Sequence, residues 1–481
     1  MGYPSVYPTG VTVYDPERAF SGYTLLQAAE LGALLIDMNG REVQLWAGLD
    51  GFPNKLLPGG EVLGSTGKRD PRYGLQDQVD LVQVDWEGRI VWRFSELERV
   101  SDGDAPTRWI ARQHHDYQRE GNPVGYYTPG QLPKLRDAST LLLVHENVRA
   151  PRISELELLD DKLVEVAWDG RIIWQWRPHE HFEELGFDAD ARETLRRDPN
   201  PRALAQGKVG DWLHINTLSV LGPNKHYDAG DARFHPDNLL WGSREANIMA
   251  IVDKRSGKIV WRLGPTFRGE PALDKLAWII GQHHVHLIPR GLPGEGNILL
   301  FDNGGWAGYG QPNPSAPTGR QNARRDYSRV LELDPVTLEI VWQYTPREAG
   351  FVVPLDASRF YSPFISSAQR LPNGNTLITE GSDGRIFEVT RDHQLVWEYI
   401  SPYWGKGHLN LNMVYRAYRY PHDWVPQLAE PKPTPVQRLD IKQFRVPGAA
   451  PLGRDREVKV RGASPEQRDA AFCVATSSEP R

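Results

Sequence analysis

Short apolar runs recur along the chain in one layout: a strand-length run, a tight polar turn with aspartate and glycine, and a second apolar arm ending in tryptophan. In one copy, Ile248-Met249-Ala250-Ile251-Val252 gives way to Asp253 and Gly257 and resumes at Val260-Trp261. Equivalent units end at Trp46, Trp92, Trp174, Trp342 and Trp397. Alternation of apolar and polar positions within each arm predicts half-buried antiparallel strands. Successive terminal tryptophans lie 46 to 87 residues apart. A four-stranded blade takes roughly 40–50 residues, so each interval holds one blade, the longer ones with insertions. The predicted fold is all-β: a six-bladed β-propeller of four-stranded antiparallel blades around a central, histidine-lined channel.

Each outer hairpin requires an inner pair before it. Its turn is plainest at Asn373-Gly374, a strong type I′ signal. Alignment on that turn places Ser366, His283, His214 and His115 at the heads of four inner strands. The first strand of a propeller blade lines the channel, so these heads are expected to converge near the axis. In Gln282-His283-His284-Val285-His286, period-2 geometry puts His284 and His286 on one face and His283 with Val285 on the other. The expected organisation is an N-terminal segment over residues 1–20, the propeller over 21–424, and a Pro-rich linker and weakly ordered tail over 425–481. Insertions fall at 106–110, 180–198 and 304–322, the last rich in Gly, Pro, Ser and Asn and suited to a rim or lid.

Composition adds exclusions. Forty-five glycines, 38 prolines and 16 tryptophans suit a turn-rich β fold. A net charge of −6 gives no electrostatic reason to expect nucleic acid or an anionic membrane as partner. The lone cysteine, Cys473, excludes an intrachain disulfide and a cysteine metal cluster. No window approaches 18 consecutive apolar residues, and the N-terminal residues lack the basic and apolar regions of a signal peptide. A cytoplasmic protein is expected.

Several motifs resemble the bacterial arylsulfate sulfotransferase family: Asp211-Trp212-Leu213-His214-Ile215-Asn216, Trp241-Gly242-Ser243-Arg244, Gln282-His283 with Phe301-Asp302-Asn303-Gly304, Arg370-Leu371-Pro372-Asn373-Gly374-Asn375, and Tyr415-Arg416-Ala417-Tyr418-Arg419-Tyr420. The resemblance spans roughly residues 5 to 424 in matching order. It implies a six-bladed propeller that moves a sulfuryl group between phenols through a sulfated histidine, with no nucleotide donor and no cofactor. It implies His283 as nucleophile, His214 as sulfuryl-binding partner, Arg244 as anion clamp and His115 as a further channel histidine. His284, His286 and Asn216 are candidate substrate contacts, and the partner is a small aromatic molecule. Family members are typically exported, often with a disulfide and an added N-terminal β-domain; none of these features is visible here.

The same side chains permit other chemistry. His115, His214 and His283 could hold a divalent transition metal and support a lyase or hydrolase, or the propeller could bind a partner without catalysis. Blander roles also apply. The six tryptophans are expected to pack between blades, and Arg244 could form a structural salt bridge. His179-Glu180-His181 reads as a solvated rim at a helix start, and Arg385 as an exposed turn residue. His145 could support the site from a second strand, and Tyr126-Tyr127 with residues 304–309 could form an aromatic wall.

Overall fold

In the computed structural model, which describes residues 8–406, 410–440 and 461–462, six antiparallel sheets form the blades of a propeller. From the inside outward, blade two is Lys55–Leu57, Glu61–Gly64, Leu81–Val84 and Ile90–Phe94. Blade three is Gln113–Arg119, Thr140–Val148, Glu157–Val166 and Ile172–Trp176; blade four is Ile215–Val220, Leu239–Ser243, Ile248–Val252 and Ile259–Leu263. Blade five is His283–Leu287, Ile298–Asp302, Arg329–Leu333 and Ile340–Tyr344, and blade six Ser367–Arg370, Thr376–Glu380, Arg385–Val389 and Leu395–Ile400. Blade one closes the ring. Its innermost strand, Tyr418–Tyr420, comes from the far end of the chain and pairs with Tyr23–Ala28, followed by Gly32–Ile36 and Glu42–Ala47.

The larger of two compact units takes in the described residues up to Gln437. Gly10–Tyr14, within the segment expected to precede the propeller, adds a fifth strand to the outside of blade six. Val436, in the Pro-rich stretch, exchanges two backbone hydrogen bonds with Tyr14, at 2.9 and 3.0 Å. Of the linker and tail expected over 425–481, residues 441–460 and 463–481 lie outside the described residues. No helix among the described residues is long and apolar enough to cross a membrane.

The terminal tryptophans are a closed set of inter-blade fasteners. Each indole N–H donates to a backbone carbonyl in the outer turn of the next blade: Trp46 to Asp85, Trp92 to Trp168, Trp174 to Lys254, Trp261 to Pro335, Trp342 to Arg391, and Trp397 to Met38 in blade one, all at 2.8–3.0 Å. A planar apolar body with one donor at its edge suits this position, because the ring fills the cleft while the N–H satisfies a turn carbonyl.

Strand direction fixes where insertions can go. Strands alternate within each blade, so second-to-third connections and crossovers to the next blade emerge on one face, where the innermost strands begin. The long segments 65–80, 95–112, 177–214, 264–282, 303–328, 345–366 and, around the crossover to blade one, 401–406 and 410–417 all lie there. This also corrects the expectation for Arg385. The turn before it joins the second and third strands on this face, and the side chain is buried between Glu380 (3.0 Å) and Glu398 (2.8 Å).

Candidate active site

The inner strands of blades three, four and five are each interrupted at their heads. Register shifts fall between Gln113 and Tyr117, Ile215 and Thr217, and His283 and His286. At or beside each shift a non-glycine residue takes a left-handed backbone: His115 at φ 53°, His214 at 50° and His284 at 52°. Such a conformation costs on the order of 1–3 kcal/mol and persists only where the surroundings enforce it. Its effect is to re-aim side chains from the sheet faces.

His115 and His214, from neighbouring blades, meet edge to face with ring centroids 4.7 Å apart. The His283 imidazole lies within electrostatic reach of both, and of Arg244 and Arg416. All three rings are buried. Each also has its Nδ1 edge engaged: His283 with Asn303 Oδ1 (2.7 Å) and Gly281 O (3.0 Å), His214 with Asp211 Oδ2 (2.8 Å), and His115 with His114 Nδ1 (2.8 Å). No hydrogen bond involves their Nε2 atoms among the described residues, so three reactive edges are left over. The Asn303 orientation is over-determined. Its amide nitrogen donates to Ser362 O and Ile365 O, both at 2.7 Å, so its oxygen must face His283. Gly304 makes this corner possible: at φ 73°, a Cβ there would sit 2.3 Å from the Tyr327 carbonyl.

Arg244 follows the second strand of blade four, and its backbone N–H donates to His214 O at 3.1 Å. Its guanidinium pairs with the buried Glu245 carboxylate, within blade four rather than between blades. A second guanidinium, Arg416, comes from the segment leading into the ring-closing strand. It binds Asp116 Oδ2 (2.8 Å) in blade three and Asn216 O (2.6 Å) in blade four, and Lys55 of blade two holds the other Asp116 oxygen at 2.7 Å. Asn216 is used up by the fold: its amide nitrogen donates to Gln282 O (2.8 Å) and its oxygen accepts from Thr217 (2.8 Å), tying blade four to blade five.

His284 and His286 share a face, as the strand period predicts, with ring centroids 4.4 Å apart. Their face is shared with Tyr126 and Tyr418 rather than with His115 and His214. His286 has both nitrogens engaged, by His284 O (2.9 Å) and Tyr126 OH (2.9 Å). Tyr126 enters on a loop of the opposite face, so it forms no wall at the histidine-side rim. Tyr127 packs on Trp424. The 304–322 segment forms a hairpin, Gly305–Tyr309 with Arg320–Arg325, pinned by Tyr309 OH to Trp212 O at 2.8 Å. The rim reading of His179 gives way to a structural one: it is largely buried and bonded to Asp160 (2.7 Å), which also accepts from Trp212.

Burial sets the electrostatics. It pushes His283 well below the usual imidazole range, against the Asn303 hydrogen bond, with Arg244 and Arg416 adding to the depression. Burial, then His214 and His283, does the same to His115, and burial lowers His286 to about 4. Burial alone would raise Asp211, but His214 and Arg202 hold it well below the carboxylate range. The ensemble therefore holds His115 and His283 as neutral imidazoles beside two guanidiniums, with the His214 ring backed by a carboxylate. That combination suits attack on, and stabilisation of, an anionic group. The donor atoms that converge closely enough for a metal are not those of His115, His214 and His283. Among the described residues they belong to His114, His145 and Asp161.

A family model described as Arylsulfotransferase (ASST) matches residues 131–398, more than half of the chain. His214, Arg244, His283 and Asn303 lie inside the match, and His115 before it. No curated protein matches the sequence. Similar solved structures include a protein of unknown function from Bacteroides caccae, with 11% identity over 83% of this chain and 99% of that one and a TM-score of 0.40. Virginiamycin B lyase from Staphylococcus aureus has 11% identity over 81% and 83%, with a TM-score of 0.32.

Proposed function

Because the chain belongs to the arylsulfotransferase family, we propose that it transfers a sulfuryl group from an aryl sulfate to a phenol through a sulfated His283, without a nucleotide donor. The observation that carries the reading is the fixed tautomer of His283. Asn303 Oδ1 and Gly281 O accept from Nδ1–H, so the lone pair sits on the unengaged Nε2 of a ring kept neutral by burial.

Attack by Nε2 on sulfur forms the N–S bond as the aryl O–S bond breaks, and the electron pair leaves on the phenolate oxygen. His214 delivers the proton that oxygen needs, its imidazolium stabilised by Asp211 through Nδ1–H. In the second half, an acceptor phenol gives its proton to His214 as its oxygen attacks sulfur, and His283 returns neutral. Arg244 and Arg416 place positive charge near the sulfuryl oxygens. The test is rapid mixing with p-nitrophenyl sulfate, followed by mass mapping. A burst of nitrophenol, a sulfuryl adduct on the peptide bearing His283, and adduct loss to added phenol are expected. A burst of unchanged size in His283→Asn would overturn the assignment.

A further inference from the structure

Behind His115 lies a second nest of imidazoles that the transfer chemistry does not use. His114, His145 and Asp161 come from the first, second and third strands of blade three, and His145 and Asp161 are direct cross-strand partners. All three are essentially inaccessible, at 0%, 2% and 1% exposure. His114 Nε2 and His145 Nε2 lie 3.3 and 3.9 Å from Asp161 Oδ1, and the three donor atoms fall within 4.8 Å of one another. Among the described residues neither His114 Nε2 nor Asp161 Oδ1 has a hydrogen-bond partner. In a buried site such orphaned atoms call for an occupant.

We propose that His114, His145 and Asp161 form a binding site for one divalent first-row transition metal ion of the kind that favours imidazole, such as zinc. A tetrahedral ion with bonds of ~2.1 Å separates its donors by about 3.4 Å, and the two distances to Asp161 are close to that. The outer contacts are those of a metal-bound histidine. His145 Nδ1 is held by Asp77 Oδ1 at 2.6 Å, an arrangement that orients a ligand imidazole and raises its basicity. Among the described residues Asp161 also lacks a Lys or Arg partner, and its remaining oxygen accepts from the Ile215 N–H at 2.9 Å. Burial, with Asp211 and Asp160 nearby, disfavours its charge, and a dication would reverse that. The stacked rings of His114 and His145, 3.7 Å apart at 13°, would tilt to share the ion.

Ligation through His114 Nε2 leaves the proton of that ring on Nδ1, where it is donated to His115 Nδ1. His115 then carries its own proton on Nε2, at the channel edge. The ion would thereby set the tautomer of a channel histidine without touching substrate.

The test reads metal, not turnover, so it stands apart from the sulfuryl-transfer assignment. The full chain is stripped with a chelator, checked by circular dichroism, and titrated with cobalt(II) chloride while the visible d–d bands are followed. A saturable single equivalent, displaced by zinc and raising the melting temperature, is expected. His145→Gln and Asp161→Asn should abolish the bands, while His214→Gln and His283→Gln keep them. Asp77→Asn should weaken uptake by about 10–100-fold. Folded wild-type chain with no saturable uptake would overturn the proposal. So would uptake lost in His283→Gln or His214→Gln but kept in His145→Gln. Should a variant fail to fold, the wild-type titration and its melting shift still decide.

Discussion

At the outer edge of every blade an indole N–H reaches a turn carbonyl of the next blade; at the inner edge three blades present a histidine, each held by a different partner, and the others present different residues. Six copies of one device outside are set against Lys55, His115, His214, His283 and Ser366 inside, joined by Arg416 from the closing segment. The difference separates two kinds of constraint. Outside, each position solves the same packing problem, so repetition is the economical answer. Inside, the strands meet at one place and each supplies a different part, so repetition would defeat the purpose.

The largest effect that would sharpen this contrast is at His283. His283→Asn keeps a small polar group beside Asn303 but removes the nucleophilic Nε2, and transfer should fall by at least about 10³-fold with little change in melting temperature. Comparable loss of activity in an outer tryptophan variant that remains folded would break it. His214→Gln should cost about 10²-fold or more. Its signature is leaving-group dependence: the defect should be smallest for acidic phenols such as p-nitrophenol and grow for poorer leaving groups. A defect that is the same for all donors would remove His214 as the acid.

The inner edge should also be the acid-sensitive part of the molecule. Burial depresses His114, His115, His283, His284 and His286 below the ordinary imidazole value. The unfolded chain then binds more protons than the folded one once pH drops below about 6.5. Stability from these rings is fully present above that pH and is lost as pH falls. His286, held at about 4, contributes on the order of 3 kcal/mol to the loss. Urea unfolding at pH 7.5, 6 and 5 should show a steep decline, and His286→Gln should flatten it. A midpoint independent of pH over that range would contradict the neutral, buried state of the cluster.

The same contrast explains what could be read from sequence. The outer hairpins announce themselves locally, through period-2 alternation, an Asp-Gly turn and a terminal Trp, because all their determinants lie within about twenty residues. The strand heads at His115, His214 and His283 were accessible from the inner turns. Arg416 was not: it stands 300 residues from Asp116, and only closure of the ring brings them together. Nor does any local pattern show that a left-handed residue interrupts the inner strands of blades three, four and five. Arg385 misled because its Asp-Gly turn resembles the solvated outer turns while belonging to the channel face.

The smallest effect concerns the outer ring itself. Replacing Trp342 by Phe removes one N–H donor to Arg391 O and part of the ring that covers the cleft between blades five and six. The hydrogen bond is worth about 1 kcal/mol net, and lost contacts add to it. Because Trp397 bonds Met38 of blade one, its replacement acts at the seam where the two ends of the chain meet. Both variants should unfold earlier in urea with kcat and KM of the folded enzyme unchanged. If the six bonds act independently, Trp342→Phe and Trp397→Phe should add within about 0.5 kcal/mol. A double variant markedly less stable than that sum would show that the ring behaves as one cooperative belt.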